Sequence, residues 1–127
     1  MTPEELKAAC LALNGAEETF PFGPETSVFK VGGKMFAISA LHGEPPLRVS
    51  LKCDPELAVR LRAEHPAITG GWHLNKRHWN TVVLDGSVPQ RLVDEMIEDS
   101  YDLIVAQLPR RQQLALDWPG VRGAERE

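Results

Sequence analysis

This chain of 127 residues lacks most of the features that would name a chemistry outright. Its two cysteines, Cys10 and Cys53, lie far apart and outside any C-x-x-C pattern, which argues against a disulfide scaffold or a cysteine-based zinc site and predicts two free thiols. No apolar run approaches the roughly 18 residues of a membrane helix, and no basic segment leads into an apolar export signal, so the expectation is a cytoplasmic protein away from membranes. Positive charge is not in excess either: the net charge is −4, too acidic for a binder that is basic all over. There is no phosphate-cradling glycine loop, dinucleotide fingerprint or G-x-S-x-G elbow, and Ser50, Ser100 and the cysteines have no triad context. No catalytic residue and no cofactor is therefore assigned, and the sequence favours binding over catalysis.

What is present fits one soluble globular unit, with 43% hydrophobic and 25% charged residues. A chain of this size buries roughly two thirds of its unfolded surface without a staple. Residues 1–118 read as a single domain, and the charged, Gly-containing stretch 119–127 reads as a flexible tail.

Thr2-Pro3-Glu4-Glu5 has the form of a capping box, and Leu6, Ala9, Cys10 and Leu13 then recur at helical spacing. Phe20 to Pro24 is too rich in Pro and Gly for a regular element, and its aromatics are read as anchors to the core. Strands are predicted over 27–31, 34–41 and 47–52, the first two joined by a turn at Gly32-Gly33. Asp54-Pro55 starts a second helix that Pro66 stops. Strands over 68–74 and 80–84 would enclose a turn at 75–78. Ser87 to Gln90 is a second potential capping box, ahead of a long amphipathic helix carrying Leu92, Val93, Met96, Ile97, Tyr101, Ile104, Val105 and Leu108. After Pro109, Leu114, Leu116 and Trp118 can dock a final segment that is expected to be partly helical before it frays. The order is α-β-β-β-α-β-β-α: an α+β fold whose antiparallel sheet of about five strands is covered by helices.

The chemistry-bearing stretch is Trp72-His73-Leu74-Asn75-Lys76-Arg77-His78-Trp79-Asn80-Thr81. Indoles stack, Lys and Arg attract phosphate, and Asn and His exchange hydrogen bonds, so the mixture suits recognition of a polyanion. Both tryptophans are assigned to the core. Lys76, Arg77, His78, Asn75, His73 and Asn80 are the candidate contacts, with Arg60 and Arg62 on the second helix extending the patch. The acidic residues Asp94, Glu95, Glu98, Asp99 and Asp102 gather on the last long helix, which predicts a polarised molecule.

Four segments resemble the MmcQ/YjbR-like family of small bacterial proteins: Phe22-Gly23-Pro24-Glu25, Gly33-Lys34-Met35-Phe36-Ala37, the run from His73 to Val82, and Ser100-Tyr101-Asp102-Leu103. The resemblance spans most of the chain and implies a fold similar to the frataxin homologue CyaY, with a hairpin and nearby loops projecting as wings, and a DNA-binding role. The iron chemistry of frataxin is not implied, because helix one offers only Glu4 and Glu5 and no acidic ridge.

The leading expectation is thus weak binding of DNA or another polyanion by a basic, wing-like hairpin, without strong sequence specificity. One alternative is a small anionic ligand, or an unassigned reaction, served by the same His/Asn/Lys/Arg cluster. Another is a protein-interaction module in which the acidic helix meets a basic partner or the basic patch of a second copy, as in a homo-oligomer. A metal site is not expected, since His42, His65, His73 and His78 follow no zinc-ligand spacing.

Overall fold

A computed structural model describes residues 1–118, and the predicted tail at 119–127 lies outside the described residues. The elements are α1 (Pro3–Leu11), β1 (Glu17–Thr19), β2 (Ser27–Val31), β3 (Lys34–Ser39), β4 (Arg48–Lys52), α2 (Pro55–Glu64), β5 (Ile68–Gly70), β6 (Trp79–Val83), α3 (Gln90–Val105) and α4 (Arg110–Ala115). Six strands form one antiparallel sheet in the order β1-β2-β3-β4-β6-β5. The α+β class and segregated helices agree with the sequence, and α4 supplies the partial helix expected after Pro109, but the sheet gains β1. Among the described residues no helix is long and apolar enough to cross a membrane.

Local chemistry explains the first two helix starts. At α1 the Thr2 hydroxyl accepts from the Glu5 amide at 3.1 Å while the Glu5 carboxylate accepts from the Thr2 amide at 2.9 Å, and these bonds lower the Glu5 pKa. At α2 one Asp54 oxygen accepts from both Glu56 and Leu57 amides. The box expected from Ser87 to Gln90 does not form. Asp85 instead accepts from the Ser87 amide at 2.9 Å, and Pro89 occupies the cap position with no hydroxyl to offer. A missing cap costs about 1 kcal/mol. Burial of Val93, Met96, Ile97, Tyr101 and Ile104 on one stripe of α3 outweighs that loss, at roughly 1.5–3 kcal/mol per large apolar side chain.

The helices share one face of the sheet. Phe29, Val31, Val49, Leu51 and Val82 point into the core that α1, α2 and α3 cover, together with Leu6, Ala58, Leu61 and Ile97. Alternation along the strands turns Val28, Ile38, Arg48, Ser50, Lys52, Trp79 and Thr81 to the opposite, helix-free face. Val28 and Trp79 are buried there, outside the helix-side cluster.

One irregularity positions the centre of the sheet. Phe29 pairs with Ala37 and Lys30 with Met35, so Phe36 is an extra residue in β3, a β-bulge that leaves adjacent Phe36 and Ala37 both fully buried. The bulge interrupts pairing with β4, and Ser100 of α3 fills the gap: its hydroxyl donates to the Phe36 carbonyl at 2.6 Å and accepts from the Lys52 amide at 2.9 Å. Beside it the Tyr101 ring meets Phe36 edge-on at 5.6 Å, and its hydroxyl donates to the Asn14 carbonyl at 2.6 Å. Cys10 and Cys53 are buried and unpaired, as expected of free thiols.

Candidate functional site

The strand expected over 68–74 ends at Gly70, so the chemistry-bearing stretch is a long loop, 71–78, rather than a hairpin tip. Gly71 still donates to the Trp79 carbonyl at 2.8 Å, in a space where a Cβ would meet the Trp79 Cβ at 2.8 Å, and His73 then has a φ of 57°, a left-handed conformation that breaks a ladder. The loop then closes on itself. Trp72 N–H donates to Thr81 Oγ1 at 3.2 Å, Arg77 N–H to Asn75 Oδ1 at 2.9 Å, and Trp79 N–H to the Asn75 carbonyl at 2.9 Å. Arg62 braces the loop from α2, donating to the Lys76 carbonyl at 2.8 Å.

These bonds divide the predicted contacts. Lys76 and Arg77 are exposed; the Lys76 ammonium has a long 3.4 Å bond to the Gly71 carbonyl, and the Arg77 guanidinium has no partner among the described residues. His73 is exposed and His78 half-buried. Asn75 is also exposed, but its carbonyl oxygen is committed to the turn.

Four assignments need correction. Asn80 is fully buried on the helix side, its amide 3.4 Å from the Ala58 carbonyl and its Oδ1 without a hydrogen bond, so it cannot reach a ligand. Arg60 and Arg62 sit about 200° apart around α2, and only Arg62 faces the loop, so the two do not extend one patch. Trp72, assigned to the core with Trp79, is 68% exposed and stacks on His73, with ring centroids 5.1 Å apart. Trp79 is buried as predicted. Phe20 and Phe22 are likewise exposed instead of anchored to the core, Phe22 also at 68%.

Trp72 and Phe22 stand over a groove of about 460 Å³ on the helix-free face. Ile38, Ser50 and Thr81 contribute to its lining, with Arg48 and His73 as the polar, cation-forming members, and no carboxylate lines it. Arg48 is exposed and holds one long contact, 3.5 Å to the Pro46 carbonyl. Ser50 Oγ and Thr81 Oγ1 lie 2.8 Å apart. Two hydroxyls carry two hydrogens and their mutual bond uses one, so one O–H remains for a ligand. The alternation of Arg48 and Ser50 in β4 could have announced this face; the exposure of Phe22 and Trp72 had no local signal.

Charge is divided in part. Arg48 and Lys52 lie on the helix-free side of β4, Lys30 lies on the same side of β2 in register with Glu17, and Lys76 and Arg77 border α2 beside Glu56. Asp94, Glu95, Glu98, Asp99 and Asp102 are exposed on α3, across the molecule from the groove. Partial burial together with Asp102 and Glu95 pushes the Asp99 carboxyl above its ordinary value. Among the described residues no group of His, Cys, Asp and Glu could hold a metal ion.

An open antiparallel sheet with helices on one side, and a cation-bearing loop at its edge braced by α2, defines the class of protein. Residues 11–103 match the family model described as YjbR, and the chain belongs to the YjbR family. It is 38% identical over 117 residues to the uncharacterised protein YjbR of Escherichia coli K12, covering 91% of this chain and 98% of that one. It is 39% identical over 111 residues to the uncharacterised protein YbdF of Escherichia coli O157:H7, covering 87% and 89%. Among solved structures, the Deinococcus radiodurans protein DR2400 superposes with a TM-score of 0.85 at 43% identity, covering 91% of this chain and 88% of that one. A Pseudomonas syringae protein superposes at 0.70 with 27% identity, covering 81% and 98%.

Proposed function

We propose that this chain is a nucleic-acid-binding protein of the cytoplasm that grips phosphates with Lys76, Arg77 and Arg48, weakly and without strong sequence specificity. The observation that carries the reading is the pair of adjacent exposed cations, Lys76 and Arg77, on one braced loop, with exposed Arg48 at the groove and the carboxylates of α3 on the other side of the sheet. A net charge of −4 then does not oppose binding, because a polyanion approaches the basic side. Free buried thiols support a reducing location. In the same reading the fold is a relative of the frataxin-like CyaY arrangement, supported by helices packed on one side of a single antiparallel sheet.

Three or so phosphate contacts give affinity that falls with salt at a log–log slope near −2 to −3. Titration of labelled DNA across salt should show this slope for the wild type. The Lys76→Ala/Arg77→Ala variant should bind more weakly, with the slope shallower by about 1.5–2. No binding by the wild type at low salt, or equal binding by the variant, rejects the proposal.

A further inference from the structure

We propose that the groove between Phe22 and Trp72 receives an unpaired base of a single-stranded nucleic acid, a specification that rests on the nucleic-acid reading above. Bases in a duplex stack on one another and hide their faces, so an aromatic side chain over a sheet groove can stack only on a base that has left the stack. This groove offers both parts of such a contact. Trp72 and Phe22 are each 68% exposed, far more than residues held for packing, and the Trp72 indole is already oriented by its stack on His73. The groove volume of about 460 Å³ falls within the range of small-ligand sites.

The polar groups match a nucleotide rather than an apolar peptide. The spare O–H of the Ser50/Thr81 pair can donate to a base carbonyl or ring nitrogen on the floor, and Arg48 can meet the attached phosphate. The lining has no carboxylate to repel that phosphate. Apolar Ile38 and Leu74, also in the lining, would give a duplex backbone no donor, whereas they can pack against a base.

The site is built without cost to the core. Thr81 accepts from the Trp72 amide, which fixes the start of the loop against β6, so the indole is held at the rim by a backbone bond rather than by burial of its ring. Removing the Trp72 or Phe22 ring should therefore leave the fold intact, which circular dichroism verifies.

The test is fluorescence anisotropy with an unstructured 12-mer as DNA and as RNA, the matching DNA duplex, and a nucleoside monophosphate as competitor. Wild type, Trp72→Ala, Trp72→Phe, Phe22→Ala and the Lys76→Ala/Arg77→Ala variant are compared at one low salt concentration. Either single strand should bind about tenfold or more tightly than the duplex. Trp72→Ala and Phe22→Ala should each weaken the single strand about tenfold and leave the duplex unchanged, and Trp72→Phe should restore much of the loss. The RNA and DNA arms show which sugar is preferred. Equal binding of duplex and single strand, with Trp72→Ala indifferent, overturns the base site while the phosphate reading stands on its loop variant. Binding of the monophosphate with no binding of either oligonucleotide overturns the single-strand occupant and the nucleic-acid reading together.

Discussion

Ser100 is a single hydroxyl that holds three elements in register. It compensates the β3 bulge by taking the place of a missing ladder partner, donating to Phe36 and accepting from Lys52. Ser100→Ala leaves a buried carbonyl and a buried amide unpaired, each at about 1–3 kcal/mol, so a total loss of roughly 2–6 kcal/mol is expected in urea denaturation. A loss well under 1 kcal/mol would mean that the gap closes or admits water. The same scale shows where sequence reading stops. Asn80 and Thr81 are adjacent and both polar, yet the pleat sends one into the helix-side core and the other to the groove floor. Only the register of β6 against β4 separates them, and register is a long-range property.

Among elements, those governed by neighbouring residues were legible. The starts of α1 and α2 follow from Thr2, Glu5 and Asp54 acting within one turn, and the amphipathic stripe of α3 follows from its 3.6-residue period. β1 was not legible. Glu17-Glu18-Thr19 has no strand pattern of its own and is held by β2, with Thr19 donating to the Val28 carbonyl at 2.8 Å and Glu18 accepting from Ser27 at 2.7 Å. The 71–78 loop was legible in composition but not in shape, since its form depends on Arg62 reaching across from α2. Arg62→Ala should therefore change global stability by under about 1 kcal/mol, because one hydrogen bond at the surface is lost. Amide exchange at Lys76 to His78 should quicken, and nucleic-acid affinity should fall with its salt slope retained. A slope shallower by about 1 would instead make Arg62 a direct phosphate contact.

At the level of the whole molecule, the thiols report how tightly the two halves of the core close. Burial pushes the Cys10 thiol up to about 12 and, with help from Asp54 and Asp99, the Cys53 thiol up to about 11. Thiolate is the reactive species, so the native protein at pH 8 should resist a disulfide reagent, and Cys53, at the margin of the core, should react before Cys10. Denaturant should release both. Rapid labelling of both thiols in the native state would show that α1 and the β4–α2 junction open readily, and the core described by Leu6, Cys10 and Leu51 would need revision.

The two outermost strands, β1 and β5, have three residues each. Successive residues of an edge strand point their backbone groups alternately outward and inward, so so short an edge offers an incoming chain only about two hydrogen bonds. The longer strands, β2, β3, β4 and β6, are flanked on both sides. Copies of this protein at high concentration therefore have little template for growing a continuous intermolecular sheet, and a broad face free of helices is displayed without a matching liability to fibril formation.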